Sequence, residues 1–246
     1  YVAGVVESEG GHYAQYEYFK AQAVLARTWV LKNWDKHSKE GYNVRDDVSS
    51  QAYFSKAYLQ YSDNILQAVL DTKDTILVDA NGEAIFGAFH ANSGGETVNS
   101  EDCWSGKMDY LRGVNDSFSL KMEKAYWTKE VDKAAFINYF ASKLGQSASN
   151  EDFRKAVLNF QQNTRKNYFT YNGKSLKLTL VRSQFKLRST FFSVSDEGAN
   201  VKLSGRGFGH GVGMSQEGAM YMAEVGFCYR EILQHYFRDT RFGVVK

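Results

Sequence analysis

Apolar residues in the first third of the chain recur with more than one period, and the changes of period mark out its elements. Tyr1, Val2, Ala3, Val5 and Val6 form a nearly unbroken apolar run that reads as a buried strand, followed by a loop at Glu9-Gly10-Gly11-His12. From Glu17 to about Lys36, the residues Phe19, Ala23, Val24, Ala26, Val30, Leu31 and Trp34 fall at helical spacing, which predicts the clearest helix of the chain. A second helix is expected from about Ser62 to Thr72, with Ser62 or Asp63 as its cap and Ile65, Leu66, Val69 and Leu70 turned inward. Thr75 to Asp79 and Glu83 to Ala91 flank Asn81-Gly82, the pair that suits a two-residue type I′ hairpin because both central residues need positive φ.

Further along, Thr128 to about Leu144 and Asn150 to about Arg165 read as two amphipathic helices joined by a polar link, 145–149. A β-rich run from Tyr168 to Leu203 contains a second turn signal, Asn172-Gly173, and helices are expected near Ser215 to Val225 and Tyr229 to Phe237. Separated helical and strand runs predict an α+β fold of mixed helices and antiparallel strands. The expected division is an N-terminal part over 1–127, a helical insert over 128–165, and a β-rich part with C-terminal helices over 166–246.

Composition narrows the class. With 43% hydrophobic and 15% aromatic residues in 246, the chain can bury a substantial core. It has no proline, so its turns rest on Gly, Asn and Asp. Thirty Lys plus Arg against 28 Asp plus Glu leave a charge of +2 with no basic block, which gives no basis for a nucleic-acid partner. No apolar run approaches the roughly 20 residues of a membrane span. The chain opens without a signal peptide or visible anchor and reads as a mature or trimmed fragment. Cys103, Cys228 and five histidines show no metal-ligand spacing, so neither metal nor cofactor is expected. The two cysteines suit a disulfide or two buried thiols equally.

The candidate chemistry gathers around Gly205-Arg206-Gly207-Phe208-Gly209-His210-Gly211-Val212-Gly213-Met214-Ser215-Gln216, where five alternating glycines surround one imidazole just ahead of a helix. Glycine at this density implies close backbone approach or positive φ. No Gly-Lys-Ser/Thr ending or dinucleotide fingerprint accompanies it, which argues against a nucleotide site. A groove for a long polar ligand and a glycine-bulged strand with His210 as a structural histidine both fit. Glu9, leaving an apolar run, is either a desolvated general acid or a solvated loop carboxylate. Lys20 and Arg27 share one helix face and either meet a ligand or snorkel from an apolar surface. Trp104 and Tyr110 suit a sugar platform or a core. No serine elbow or cysteine-hydrolase sequence is present.

Tyr1 to Glu9, Lys20-Ala-Gln-Ala-Val-Leu-Ala-Arg27-Thr28, Gln51-Ala-Tyr53, His90 to Thr97, Asp102-Cys-Trp104 with Tyr110-Leu111, Gly205 to Ala219 and Ile232 to Tyr236 resemble, in order, the SpoIID/LytB family. The resemblance implies extracytoplasmic action on peptidoglycan glycan strands. Members similar to SpoIID are lytic transglycosylases that cleave between N-acetylmuramic acid and N-acetylglucosamine, in that case preferring strands without stem peptides. The LytB-like branch enhances a cell-wall amidase, which makes such an amidase a candidate partner. By position, Glu9 would be the catalytic acid, while Lys20, Arg27, Thr97, Tyr110, His210, Ser215 and Gln216 would serve substrate binding or activity. At least one of Lys20 and Arg27 is expected to face the substrate, because a cation against Glu9 would depress its pKa. Two departures stand out. Gly10-Gly11 replaces the Met-Pro that follows the glutamate in many members, and 45–50 offers no Cys and His set for the zinc that some carry.

Overall fold

The computed structural model describes residues 1–11, 14–47, 49–53 and 62–245. Its first element corrects the expected strand, because Val2–Gly10 is a helix, α1. Val2, Val5, Val6 and Glu9 stand at the i, i+3, i+4, i+7 positions of a helical stripe, and Val5 and Val6 are fully buried where α1 packs on the next helix. Packing on that helix outweighs the strand preference of the valines. The helix stops at Gly11, whose φ of 68° few other residues adopt. His12 of the expected loop lies outside the described residues.

Helix α2 (Tyr16–Lys32) is the hub of the molecule. It is buried along nearly its whole length and touches α1, α3 (Ser62–Asp71), β1 (Thr75–Val78) and two C-terminal helices. It ends at Asn33, whose side chain donates back to the Trp29 carbonyl at 2.8 Å, so Trp34 falls beyond the helix and is exposed. On α3, Ile65 and Ala68 are buried, whereas Leu66 and Leu70, expected to face in, are exposed. The Ser62 side chain lies outside the described residues.

The hairpin after β1 is real but shorter and of another type. Asp79 and Glu83 close it, and only Gly82, at φ 83°, is left-handed. That is a three-residue loop with a glycine bulge in place of a type I′ turn. Beyond Ile85, whose N–H still donates to the Leu77 carbonyl, the chain leaves β1, whose ladder is with the C-terminal strand Arg241–Val244. Strand β2 (Phe89–His90) then pairs in parallel with Met214–Ser215 at the far end of the glycine loop. The short helix α4 spans Ser100–Cys103.

The first half of the expected helix at Thr128 is a strand, β3 (Tyr126–Asp132), and Asp132 caps the real helix, α5 (Lys133–Leu144), through the Ala135 N–H. Helix α6 (Glu151–Leu158) follows, then the hairpin of β4 (Tyr168–Tyr171) and β5 (Lys174–Lys177). Here both Asn172 and Gly173 have positive φ, as the type I′ pairing predicts. Helix α7 (Leu178–Gln184) interrupts the run read as β-rich, and β6 (Phe191–Glu197) and β7 (Asn200–Arg206) complete an antiparallel sheet ordered β3-β7-β6. After the glycine loop come β8 (Met214–Ser215), α8 (Gln216–Glu224), α9 (Tyr229–Tyr236) and β9 (Arg241–Val244).

The fold is thus α+β around two hydrophobic cores. One gathers residues from α1 to α3, the loops up to Val114, and α8 and α9. The other lies between the three-stranded sheet and the elements from α5 to α7. Cys103 and Cys228 are free thiols. Among the described residues no helix is long and apolar enough to cross a membrane, and no group of His, Cys, Asp and Glu is placed to hold a metal ion.

Candidate active site

A cleft of about 570 Å³ opens where the end of α1, the backbone of 86–91 and the glycine loop meet. Glu9, on the last turn of α1, supplies the one carboxylate among its lining residues. Its Oε1 accepts the Ala52 N–H at 2.9 Å, and its main-chain carbonyl accepts Gln216 Nε2 at 3.1 Å. Burial pushes the carboxyl above the usual range, partly opposed by the Ala52 N–H and the Gln216 side chain, which favour the charged form. The helix does here what the expected strand was to do, carrying the carboxyl out of an apolar face.

The opposite wall is built by the glycine loop. Gly213 sits at φ 70° against β2, and a Cβ there would lie 2.2 Å from the Ala88 carbonyl oxygen. The close approach brings His210 beside His90 and Trp104, with ring centroids 5.4 and 5.1 Å away, and Phe86 meets Trp104 edge to face at 5.5 Å. His210 Nδ1 accepts the Val212 N–H at 3.1 Å, and the ring also bonds the Phe89 main chain. Burial drives its pKa down to about 4, so it is a neutral ring with both nitrogens engaged. In these bonds it is the structural histidine expected of a glycine-bulged strand, yet it walls the cleft. His90 donates from Nδ1 to the Val212 carbonyl at 3.1 Å, which leaves Nε2 an acceptor, buried and without a partner among the described residues.

Of the eight residues singled out in the sequence, Glu9, His210 and Gln216 line the cleft. The other five hold the framework. Lys20 lies 2.8 Å from Glu17 and 4.0 Å from Asp71, over the Tyr16 ring. Arg27 donates to the Thr72 and Thr75 carbonyls at 2.8 Å each and to that of Val69 at 3.3 Å, tying the end of α3 to β1. Neither lines the cleft, against the expectation that one faces a ligand, because Lys20 is satisfied by Glu17 and Asp71 and Arg27 by main-chain carbonyls. Thr97 Oγ1 accepts the Val114 N–H at 2.8 Å. The Tyr110 hydroxyl accepts the Phe86 N–H at 3.0 Å and so fixes a segment of the cleft from behind. Ser215 caps α8 through the Gly218 N–H and also accepts the Ser93 N–H at 3.1 Å.

Two cations of the lining, Lys36 and Arg182, were not anticipated. Arg182 comes from α7, in a stretch whose sequence reads as strand, and no motif signals it. His90 was visible in the His-Ala-Asn-Ser-Gly-Gly element, but nothing local says which of its nitrogens stays free.

A family model described as SpoIID, stage II sporulation protein, matches residues 1–78. The chain is 33% identical over 253 residues to the stage II sporulation protein D of Bacillus amyloliquefaciens, covering 98% of this chain and 72% of that protein. It is likewise 33% identical over 256 residues to the stage II sporulation protein D of Bacillus subtilis strain 168, covering 99% and 73%. The amidase enhancer of the same strain is 27% identical over 287 residues, with 96% of this chain aligned to 39% of that protein. Similarity to the sporulation proteins runs through both cores and all the elements that build the cleft, and the chain belongs to the SpoIID family.

Proposed function

We propose that this protein is a peptidoglycan lytic transglycosylase, acting outside the cytoplasm on the bond between N-acetylmuramic acid and N-acetylglucosamine, with Glu9 as its general acid and base. Family membership supports a cell-wall-related function. The observation that carries the reading is a single desolvated carboxyl in a cleft whose other lining groups are aromatic rings, neutral imidazoles, polar side chains, two cations and backbone, with no second carboxylate among them. Glycosidases that use water need a second carboxyl across the scissile bond. A transglycosylase needs one, because the muramic C6 hydroxyl is the nucleophile and is already attached to the reacting sugar. Protonated Glu9 gives its proton to the glycosidic oxygen as the bond to C1 breaks. The resulting carboxylate then takes the C6 hydroxyl proton as the 1,6-anhydro ring closes, which returns Glu9 to its starting state. No water is consumed.

The remaining residues take roles that follow from their places. Gln216 holds the end of α1 and thereby Glu9, and His210 shapes the wall. Lys20, Arg27, Thr97, Tyr110 and Ser215 act by positioning the segments that carry the cleft.

A second reading is a noncatalytic glycan-binding protein that activates a cell-wall amidase. It is favoured by the likeness to the amidase enhancer and by the Ala52 N–H bond, which supports the ionised form of Glu9. Mass spectrometry of purified glycan strands after incubation with the wild type and with Glu9→Gln separates the two. Anhydromuramyl products from the wild type alone are expected. Intact strands that both proteins still bind would transfer the reading to the amidase activator.

A further inference from the structure

Arg182 enters the cleft from α7, an element of the second core, while Glu9 enters from the first. Its Nε donates to the Leu187 carbonyl at 3.3 Å, which fixes the side chain and leaves its two terminal nitrogens without a hydrogen-bond partner among the described residues. No carboxylate of the described residues lies within salt-bridge distance. The ionisable group that would stabilise its charge is the Cys103 thiol, and burial pushes that thiol up, so it is neutral at pH 7. The cation is half-buried and has no counterion among the described residues, which leaves its terminal nitrogens open to an anion brought by a ligand. In the same cleft His90 Nε2 is a buried acceptor with no partner among the described residues. A planar cation and an unpartnered acceptor lining one cleft match a carboxylate carried on a ring with hydroxyl and amide donors.

We infer that Arg182 is the specificity-determining residue of the cleft, pairing with the free lactyl carboxylate of a muramic acid residue while His90 Nε2 accepts a hydrogen bond from the same sugar. The inference rests on the glycan-cleaving reading for its substrate, but it concerns binding. A lactyl group already joined to a stem peptide is an uncharged amide and gives Arg182 no partner. The carboxylates of a stem peptide are the other source of the same chemistry, and they hang farther from the ring.

The test measures binding by the wild type, Arg182→Met and Arg182→Lys to three materials. These are peptide-free glycan strands, the same strands with their lactyl carboxylates converted to N-methylamides, and peptide-bearing strands. Arg182→Met is expected to weaken binding to the peptide-free strands roughly 10- to 100-fold, the worth of a charge-assisted hydrogen bond, with Arg182→Lys intermediate. On the methylamide the wild type should fall to the level of Arg182→Met, so that the variants converge. Equal wild-type binding to acid and methylamide overturns the inference, and this arm needs no variant to fold. Binding that depends on Arg182 only with peptide-bearing strands also overturns it, in favour of a peptide carboxylate. Because the readout is affinity, an absence of anhydromuramyl products would end the transglycosylase reading and leave this result standing.

Discussion

The two cores are built on different principles, and the cleft draws on both. The second is a conventional apolar interior, in which Phe136, Phe140, Phe153 and Phe169 are buried under a regular antiparallel sheet. The first surrounds a buried polar network. Asp116 accepts from the Ser93 hydroxyl at 2.7 Å and the Tyr236 hydroxyl at 2.9 Å, and Glu217 accepts from Asn92 at 2.7 Å and the Lys124 N–H at 3.0 Å. Such networks define one arrangement at the expense of tolerance, since each member removed strands its partners. Cleft loops that follow no regular ladder need this kind of support. The second core serves as a rigid mount, delivering Arg182 to the cleft and Arg165 to the loop that backs it.

The largest expected difference is at Gly213. Gly213→Ala should cost about 4 kcal/mol or more, near the upper limit for single substitutions, and abolish glycan binding with it, as read by urea unfolding and a binding assay. Phe136→Ala should cost about 3 to 5 kcal/mol through the cavity it leaves. Binding by the fraction still folded should be unchanged, and a lost cleft there would mean that the two cores are not separable in this way.

Acid should act on the first core selectively. His210 is held at about 4 against an ordinary 6.5, and burial also holds His90 well below the ordinary value. An unfolded chain takes up these protons below 6.5 whereas the folded one does not. Stability is therefore complete above pH 6.5 and is lost as the pH falls toward 4, by about 3 kcal/mol for His210 at about 1.4 kcal/mol per unit. Glu9, raised by burial, runs the other way, its proton uptake favouring the folded state on acidification. Unfolding midpoints of the wild type and His210→Gln between pH 7 and 4.5 check the window, and a flat wild-type curve would remove the assignment.

Arg165 joins the regions. It is partly buried, and its Nη1 donates to the Ser93 and Glu96 carbonyls at 3.0 and 2.9 Å. Arg165→Met should cost about 2 kcal/mol, the penalty for unsatisfied buried acceptors, and should weaken binding more than Phe136→Ala does. The smallest effect is expected at Gly198, left-handed like Gly213 but with open space where a Cβ would go. Gly198→Ala should cost about 1 kcal/mol of backbone strain and leave binding untouched.

Much of this molecule could be read locally. The α2 stripe and the Asn172-Gly173 turn were legible because periodicity and left-handed φ are properties of a few neighbouring residues, and the glycine loop stood out by its density. Misreadings arose where a segment's partner lies far away in sequence. Val2 to Val6 are strand formers by preference, and only the surface of α2 makes them a helix. Thr128 to Asp132 read as the start of a helix until β7 offers a ladder. Leu66 and Leu70 continue an apolar pattern on α3 that the tertiary packing does not bury.

For the site, the sequence by itself determined which groups exist to do chemistry: a glutamate after an apolar stripe, one imidazole among glycines, and the ordered motifs that mark the family. Tertiary structure alone decided which of them meet. It turned Lys20 and Arg27 into framework ties, engaged both nitrogens of His210, left His90 Nε2 without a partner among the described residues and brought Arg182 in from the other core. A side chain's role depends on its desolvation and its hydrogen-bond partners, and these include residues far along the chain, 45 and 48 positions away for Arg27 and 122 for His90.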